Sequence, residues 1–574
     1  QHGRIKVKTT EEQQEVKRKE REKKLQLYLT CISTVFKKRQ NGELDQEMLE
    51  LTSQILGVNP DVATLWNYRR EVFLELRKEN KNSPSGHPVI RGRFLQTVSS
   101  SIEFNPRTYS RFSQNRFQLH KIGKPGAVTA LNYCAISLFA NFSFVTFFHC
   151  WDYRRFVVQR SAVLPVEELA YTNKLISTNF SNYSSWHYRS KLLPLIHPDM
   201  ERKGRVTEDV LLKEYEMVQN AFFTDPNDQS AWFYYRWLLG RAEQEESITC
   251  LYASWDMGQL VVGFSRPVNV LLESSELVLF VDGRPTPVKW QNPRKTQSYS
   301  CVWVSVLRTV GLQSGAPIMT FFCVWGGGQY NKECILYPGR TETWCRDSAT
   351  DEQLFRCELS VEKTTVLQSE LELCKQLQEI EPQNKWCILT IILLMRSLDP
   401  LAYEKETLLY FDTLKAADPM RTAYFNDLRS KFIIENNILK MEYAEVRVID
   451  LSKKDLTSLC HLDQLLLVTH MNLSANQLKS LPVSLSMMQC LEVLEVDDNE
   501  VASVEGLYNL PRLEEVSLRN NRILLLSICR PSDLCPLATC PKLSILNLQG
   551  NPICDVIDVQ SELVLLLPNV EIIM

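Results

Sequence analysis

Trp186-His187-Tyr188-Arg189 is the stretch that decides the fold, because its pattern recurs along the chain. Trp followed three residues later by Arg occurs at Trp66 and Arg69, at Trp151 and Arg154, and at Trp186 and Arg189. A fourth copy carries its Arg one residue later, at Trp232 and Arg236. With a weaker copy at Phe112, the intervals are 35 to 46 residues, the length of one helical hairpin. The repeats predict an α-α superhelical solenoid.

The residues around each Trp explain how such a hairpin forms. Proline stands six residues before Trp66 and Trp232, where it ends one helix, so the next helix carries the Trp near its start. Residues three apart share a helix face, which places Trp and Arg side by side. The indole can fill the space between hairpins while the guanidinium stacks on a ring or binds a loop carbonyl. We interpret these pairs as packing between repeats and not as catalytic residues.

A β domain interrupts the helical pattern. From about Ser247 the apolar residues recur with period two, as in 259–264 and 276–281, and Asp282-Gly283 provides a hairpin turn. Further strands are expected around Cys250, Val288 and Trp303 and around residues 321 and 335, about seven in all. These features predict an immunoglobulin-like β-sandwich over residues 247–345. It is inserted between helical repeats at 1–246 and 346–441.

The last part of the chain, residues 442–574, matches the leucine-rich template LxxLxLxxNxL four times. The asparagines of the four copies are Asn476, Asn499, Asn521 and Asn551. An amide can satisfy both donors and acceptors of the backbone in the turn that follows a strand. The pattern predicts a C-terminal leucine-rich repeat domain with a buried asparagine ladder.

Composition narrows the function classes. The net charge of −3, from 65 basic and 68 acidic residues, gives no global field for nucleic acid or an anionic membrane. Seventeen cysteines without CxxC spacing indicate reduced thiols in a cytoplasmic protein. The first residues are charged where a secretory signal would be apolar, so we expect no secretion.

One apolar stretch, residues 127–148, has no charged residue and is long enough to span a bilayer. Repeat motifs lie on both sides of it, at Trp66 and Trp151, and a span would place the halves of one solenoid on opposite membrane faces. A buried helix pair or a mis-assembled stretch of the gene model is the preferred alternative. We therefore expect no stable membrane insertion.

The sequence contains no self-contained active site. It has no P-loop, no GxSxG, no HExxH and no Cys/His zinc cluster, and its eight histidines are dispersed. These residues alone indicate a multidomain interaction protein.

The Trp-x-x-Arg copies resemble the repeats of protein prenyltransferase α subunits, whose helical hairpins surround a catalytic β subunit. With the sandwich insert and the leucine-rich domain, the chain is similar to the α subunits of Rab geranylgeranyltransferases. The resemblance implies a heterodimer that transfers geranylgeranyl from geranylgeranyl diphosphate to C-terminal cysteines of Rab GTPases, which an escort protein presents. It also implies that zinc, which activates the acceptor thiol, is bound by the β subunit and not by this chain.

The resemblance places two candidate catalytic residues in the second repeat. Arg107 and Tyr109 match a Lys-x-Tyr motif whose Lys faces the isoprenoid diphosphate, and Arg keeps the positive charge. The alternative for Arg107 is a solvated loop charge. Phe112 stands where the family has Trp and Asn115 where it has Arg, so this repeat has decayed or the sequence there is faulty.

Two histidines complete the candidates. His149 precedes Trp151 and matches a family position at the same rim, although a structural role is the alternative. His2 is a candidate ligand to the partner's zinc, against the alternative of a terminal residue without a ligand. A second function class stays open: a non-enzymatic cytosolic adaptor built of helical and leucine-rich repeats.

Overall fold

A computed structural model describes the chain in segments: 11–58, 62–79, 151–161, 163–200, 206–239, 246–272, 276–294, 298–307, 318–346, 364–442, 447–524, 534–556 and 559–574. These residues belong to two compact units. The first comprises residues 1–199, 215–222 and 228–235, and the second comprises 200–214, 223–227 and 236–574.

The described residues from 11 to 239 are mainly helical, as the repeats predict. In order the helices are α1 (Glu11–Gln40), α2 (Gln46–Val58), α3 (Ala63–Glu79), α4 (151–160), α5 (Pro165–Thr178), α6 (Tyr183–Ile196), α7 (Glu208–Thr224) and α8 (Gln229–Leu239). Helix α2 packs against α3, and α5 packs against α6. In the first unit, Trp66, Trp151 and Tyr153 lie in one buried apolar cluster. The prediction of paired, stacked helices is confirmed for the described residues.

The helix starts follow the predicted local signals. Trp66, Trp186 and Trp232 are each the fourth residue of their helix. Pro226 stands between α7 and α8, and Asn182 caps α6 by accepting a hydrogen bond from the Ser185 backbone N–H at 3.2 Å. Because a cap satisfies one of the free N–H groups of the first turn, it fixes where the Trp enters the core.

The inserted domain consists of two antiparallel four-stranded sheets. Its strands are β1 (Ile248–Ser254), β2 (Gln259–Val268), β3 (Val278–Val281), β4 (Arg284–Thr286), β5 (Ser300–Val306), β6 (Met319–Trp325), β7 (Tyr330–Leu336) and β8 (Glu342–Arg346). One sheet has the order β5-β2-β1-β8 and the other β4-β3-β6-β7. Asp282 and Gly283 join β3 to β4 with φ of 48° and 73°, as the predicted hairpin requires.

One strand expectation for the insert was wrong, and one strand was missed. Val288 lies outside the strands, since β4 ends at Thr286. Strand β8 was not anticipated, because its residues lack a clean apolar alternation and are mostly half-buried. The two sheets share one core, in which Leu251 and Val262 of one sheet meet Phe321 and Cys323 of the other.

Helices return after the insert and lead into a parallel sheet. The helices are α9 (Thr364–Ile380), α10 (Lys385–Leu398), α11 (Glu404–Ala417) and α12 (Thr422–Glu442). The described residues from 447 to the end, which we call the leucine-rich domain after the template that their sequence matches, then add β9 (Val448–Asp450), β10 (His470–Asn472), β11 (Val493–Glu495), β12 (Glu515–Ser517), β13 (Ile545–Asn547), α13 (Val559–Leu566) and β14 (Glu571–Ile573). The strands pair in sequence order, so each repeat contributes one strand.

Within the described segments, no helix is both long and apolar enough to cross a membrane. The apolar stretch at 127–148 lies outside the described residues.

Candidate functional site

The candidate catalytic residues fall outside the part of the chain that the structure describes. This holds for Arg107, Tyr109 and His149 and also for His2. The copies of the repeat motif at Trp66, Trp151, Trp186 and Trp232 are described. They show which side chains a repeat buries and which it exposes.

Arg69 lies on α3 and reaches α2 of its own hairpin. Its Nη1 donates to the Leu49 carbonyl at 2.7 Å and contacts the hydroxyls of Thr52 and Ser53 at 2.9 and 2.8 Å. The side chain is fully buried, and burial lowers its pKa from the ordinary value. A charged group in the core needs such partners, because an unpaired one is strongly destabilising.

Arg154 forms a buried ion pair with the following hairpin. Its Nε and Nη2 donate to the two carboxylate oxygens of Glu168 at 2.7 and 2.6 Å, and both side chains are buried. The guanidinium also lies over the Tyr171 ring, 3.5 Å from its centroid. The bidentate geometry ties α4 to α5 with fixed direction. Burial, and then the nearby Glu168, raise the pKa of Tyr188 above its usual range.

The other two motif arginines have different partners. Arg189 on α6 donates to Asn173 at 2.5 Å and to Thr172 at 3.2 Å, both on α5 of its own hairpin. Arg236, which belongs to the second unit, lies over the Trp386 ring at 5.2 Å. Burial lowers the pKa of Arg236 to about 10. All four motif arginines thus have a packing or hydrogen-bonding role.

A regular aromatic contact joins neighbouring copies of the motif. In each case the Trp of one copy meets the Tyr two residues after the Trp of the next copy. The ring centroids are 5.1 Å apart for Trp66 and Tyr153, 5.4 Å for Trp151 and Tyr188, and 4.6 Å for Trp186 and Tyr234. These rings form the continuous core of the stack.

Trp66 of α3 is therefore in direct contact with Tyr153 of α4. The sequence series places the weak copy at Phe112 between them, and that copy lies outside the described residues.

The starts of α6 and α8, the second helices of their hairpins, carry exposed aromatic side chains that the sequence analysis did not identify. Tyr183, three residues before Trp186, is 41% exposed, and Phe233, next to Trp232, is 44% exposed. Tyr183 contacts Phe233 edge-on at 5.9 Å and stacks on His187 at 6.1 Å. We call these three residues the aromatic patch. The signal was available: within a Trp-x-Tyr-Arg motif, the residue after the Trp points away from the buried face.

The four asparagines of the leucine-rich domain form the ladder that the template predicts. Asn499, for example, accepts from the Leu478 N–H at 3.0 Å and donates to the carbonyls of Leu473 and Val496 at 3.0 and 3.2 Å. Asn476, Asn521 and Asn551 make equivalent contacts with the backbone of their own repeat and of the preceding one. Their role is structural.

The described segments bring no set of metal ligands together, and most of their thiols are withdrawn from solvent. No three His, Cys, Asp or Glu side chains come together there in a way that could hold a metal ion. Most of the described thiols are buried, and burial raises the pKa of Cys250, Cys301, Cys460 and Cys490 to about 12. Burial thus favours the protonated form of these four thiols over the nucleophilic thiolate.

Comparison with protein families matches most of these elements. The model of the protein prenyltransferase alpha subunit repeat matches residues 45–76, 165–196 and 211–242. The model of the Rab geranylgeranyl transferase alpha-subunit insert domain matches residues 248–349. The helical hairpins and the two-sheet insert are thus found together in one known family.

Individual relatives extend the similarity to the full length. The geranylgeranyl transferase type-2 subunit alpha of Sus scrofa is 56% identical over 575 residues, which is 100% of both chains. The protein of that name in Homo sapiens is 56% identical over 571 residues, 99% of each chain. Its counterpart in Schizosaccharomyces pombe is 29% identical over 298 residues, covering 48% of this chain and 81% of that protein.

Proposed function

The chain belongs to the family of geranylgeranyl transferase type-2 α subunits, and from this premise we propose how it works. It combines with a catalytic β subunit, and the heterodimer transfers geranylgeranyl from geranylgeranyl diphosphate to C-terminal cysteines of Rab GTPases. An escort protein presents the Rab substrate. The adaptor alternative is not favoured, because the full-length relatives are transferase subunits.

The observation that carries the proposal is the aromatic patch at the start of the second helices. Exposed Tyr and Phe side chains that touch one another on a stacked repeat surface are typical of a protein interface, where aromatic residues are enriched. The β subunit is the proposed occupant of this surface. The buried Trp and Arg residues keep the patch in register but make no contact with the partner.

The N-terminal end of the second helix in each hairpin is also a favourable place to bind the diphosphate of the lipid donor. Tyr109 stands three residues before Phe112, as Tyr183 stands three before Trp186, and Tyr183 lies exposed at the start of α6. The start of a helix carries a partial positive charge that favours anions. Arg107 and Tyr109, with His149 in the next copy, are therefore proposed to line the rim around the diphosphate. Arg107 would stabilise the negative charge that grows on the leaving group.

Zinc is proposed to be held by the β subunit, where it activates the acceptor thiol. His2 stays a candidate ligand from this chain. We further propose that the insert is immunoglobulin-like, that residues 442–574 are a leucine-rich repeat domain, and that the protein acts in the cytoplasm without stable membrane insertion or nucleic-acid binding.

Reconstitution tests the proposal. The purified chain is incubated with geranylgeranyl diphosphate, escort protein and Rab, with and without the β subunit. We expect transfer only when the β subunit is present, together with a stable complex that contains zinc. Transfer by the chain alone would contradict the proposal, and so would the failure of a folded chain to bind the β subunit.

A further inference from the structure

The two sheets of the insert present very different outer faces. Alternate residues of β1 and β2 point away from the insert core, and there Cys250, Tyr252 and Val261 are fully buried. What buries them is the leucine-rich domain, because they form one apolar cluster with Leu466, Leu467 and Cys490. On the other sheet, the outward rings of Phe280 and Phe322 touch at 6.1 Å and remain half-buried.

A charge cluster lies beside this apolar contact. Glu342, the first residue of β8, accepts from Arg447 at 2.6 Å, from Arg512 at 2.5 Å and from the Tyr252 hydroxyl at 2.8 Å. The two arginines come from different repeats of the leucine-rich domain, so one carboxylate of the insert holds both repeats. Burial acts to raise the pKa of Glu342, but the hydrogen bonds from Tyr252 and Arg447 lower it below its ordinary value.

Further contacts extend the interface beyond the carboxylate. Arg447 lies over the Trp344 ring of β8 at 4.6 Å. Gln259 of the insert donates to Gln489 at 2.8 Å, and both side chains are buried. Asn509 donates to the Pro293 carbonyl at 2.8 Å. Apolar burial, an ion cluster and neutral hydrogen bonds thus coincide over β1, β2 and β8, as in an interface that excludes water.

We propose that the insert and the leucine-rich domain form one binding body, in which the outer face of the β5-β2-β1-β8 sheet is permanently occupied by the leucine-rich domain. The covalent connections of the insert run only to the helical segments on either side of it, so this noncovalent contact holds the two domains together. A partner then meets both domains as a single surface. The covered sheet is closed to it, and the Phe280 and Phe322 face remains accessible.

Thiol labelling of the full chain tests this directly, because the domains carry cysteines in informative places. Cys250 and Cys490 lie at the contact, Cys323 lies in the core of the insert, and Cys535 is exposed. We expect N-ethylmaleimide, followed by mass spectrometry, to modify Cys250 and Cys490 on the order of 100-fold more slowly than Cys535. If the two react as fast as Cys535, the contact is open in solution and the proposal is wrong.

Glu342→Ala separates opening of the contact from unfolding. It removes the acceptor shared by Arg447 and Arg512, so Cys250 and Cys490 should react together, at least about tenfold faster, while Cys323 stays protected. Glu333→Ala, an exposed carboxylate of the same insert, is the matched control and should leave all rates unchanged. If Glu342→Ala unfolds the insert and exposes Cys323, Arg512→Gln makes the same test from the other side. Acceleration of only one of Cys250 and Cys490 in a folded variant would overturn the proposal, whereas continued protection of both would support a contact that the apolar cluster alone keeps closed.

Discussion

The helical repeats and the leucine-rich repeats both bury a polar side chain of their motif, an Arg at three positions and an Asn at four, yet they satisfy it differently. Asn476, Asn499, Asn521 and Asn551 bind backbone groups in equivalent ways. The arginines have a different partner each time: a helix carbonyl and hydroxyls for Arg69, the carboxylate of Glu168 for Arg154, and an amide for Arg189.

This difference in hydrogen-bond partners determines which residues can vary in each kind of repeat. Backbone partners are present in every leucine-rich repeat, so the asparagine ladder is uniform. The other residues of each repeat are then free to vary and determine the surface of the domain. A helical hairpin must provide a side-chain partner for each buried charge, which fixes residues on two helices at once. The second arrangement costs more when one partner is lost.

The largest stability effect is expected at the buried ion pair. Glu168→Ala leaves the Arg154 guanidinium charged and without its carboxylate, and should cost about 3–5 kcal/mol of unfolding free energy. Asp152→Ala is the matched control, because it breaks the exposed Asp152–Arg155 pair and should cost less than about 1 kcal/mol. Urea denaturation followed by tryptophan fluorescence measures both. Equal losses would remove the distinction drawn between buried and exposed pairs.

The next largest effect is expected on the rate of geranylgeranyl transfer, to which we propose that only the helical region contributes residues. Arg107→Ala should slow single-turnover transfer by about 10- to 1000-fold with lipid affinity nearly unchanged, because it removes charge stabilisation in the transition state. Arg107→Lys should recover most of the rate. Arg519→Ala, an exposed arginine of the leucine-rich domain, serves as the control and should transfer at the wild-type rate. A wild-type rate for Arg107→Ala would make Arg107 a solvated loop charge.

A smaller loss is expected in the asparagine ladder. Asn499→Ala removes hydrogen bonds to Leu473, Leu478 and Val496 and should cost about 1–3 kcal/mol for the backbone groups left unsatisfied. Gln549→Ala, at an exposed position of the same domain, should be near neutral. Thermal unfolding compares the two variants. The ladder would be dispensable if both had the same midpoint.

The smallest effect is a pH dependence of the contact between the insert and the leucine-rich domain. The pKa of Glu342 is lower in the folded protein than its ordinary value of 4.5. The stabilisation of the contact by ionised Glu342 is therefore fully present above pH 4.5 and is lost as pH falls through the pKa of the folded state. The alkylation rate of Cys250, measured at each pH and divided by that of exposed Cys535 at the same pH, should be constant from pH 8 to about pH 5 and rise only at lower pH. Loss of protection between pH 8 and 6 would point to a different group.

The sequence was most informative where a repeat uses local geometry. The fourth-residue positions of Trp186 and Trp232 follow from Asn182 and Pro226 before their helices, and the Asn ladder follows from its template. The partners of Arg154 could not be predicted, because Glu168 belongs to the next hairpin and its approach depends on how the hairpins stack. The same holds for Glu342, whose two arginines lie more than 100 residues further along the chain. The direct contact of Trp66 with Tyr153 was also unexpected from the spacing.

The central claim is that the aromatic patch of the helical repeats, and not the leucine-rich domain, holds the catalytic subunit. Titration calorimetry of the β subunit into the full chain tests this claim by comparing substitutions at the aromatic patch with a substitution at an exposed leucine of the leucine-rich domain. Phe233→Ser combined with Tyr183→Ser should weaken binding by about tenfold or more, as expected for interface aromatics. Leu565→Ser, at a position of the leucine-rich domain that is 83% exposed, should leave the affinity within about twofold. Wild-type affinity in the double variant, or a loss of affinity in Leu565→Ser, would contradict the account.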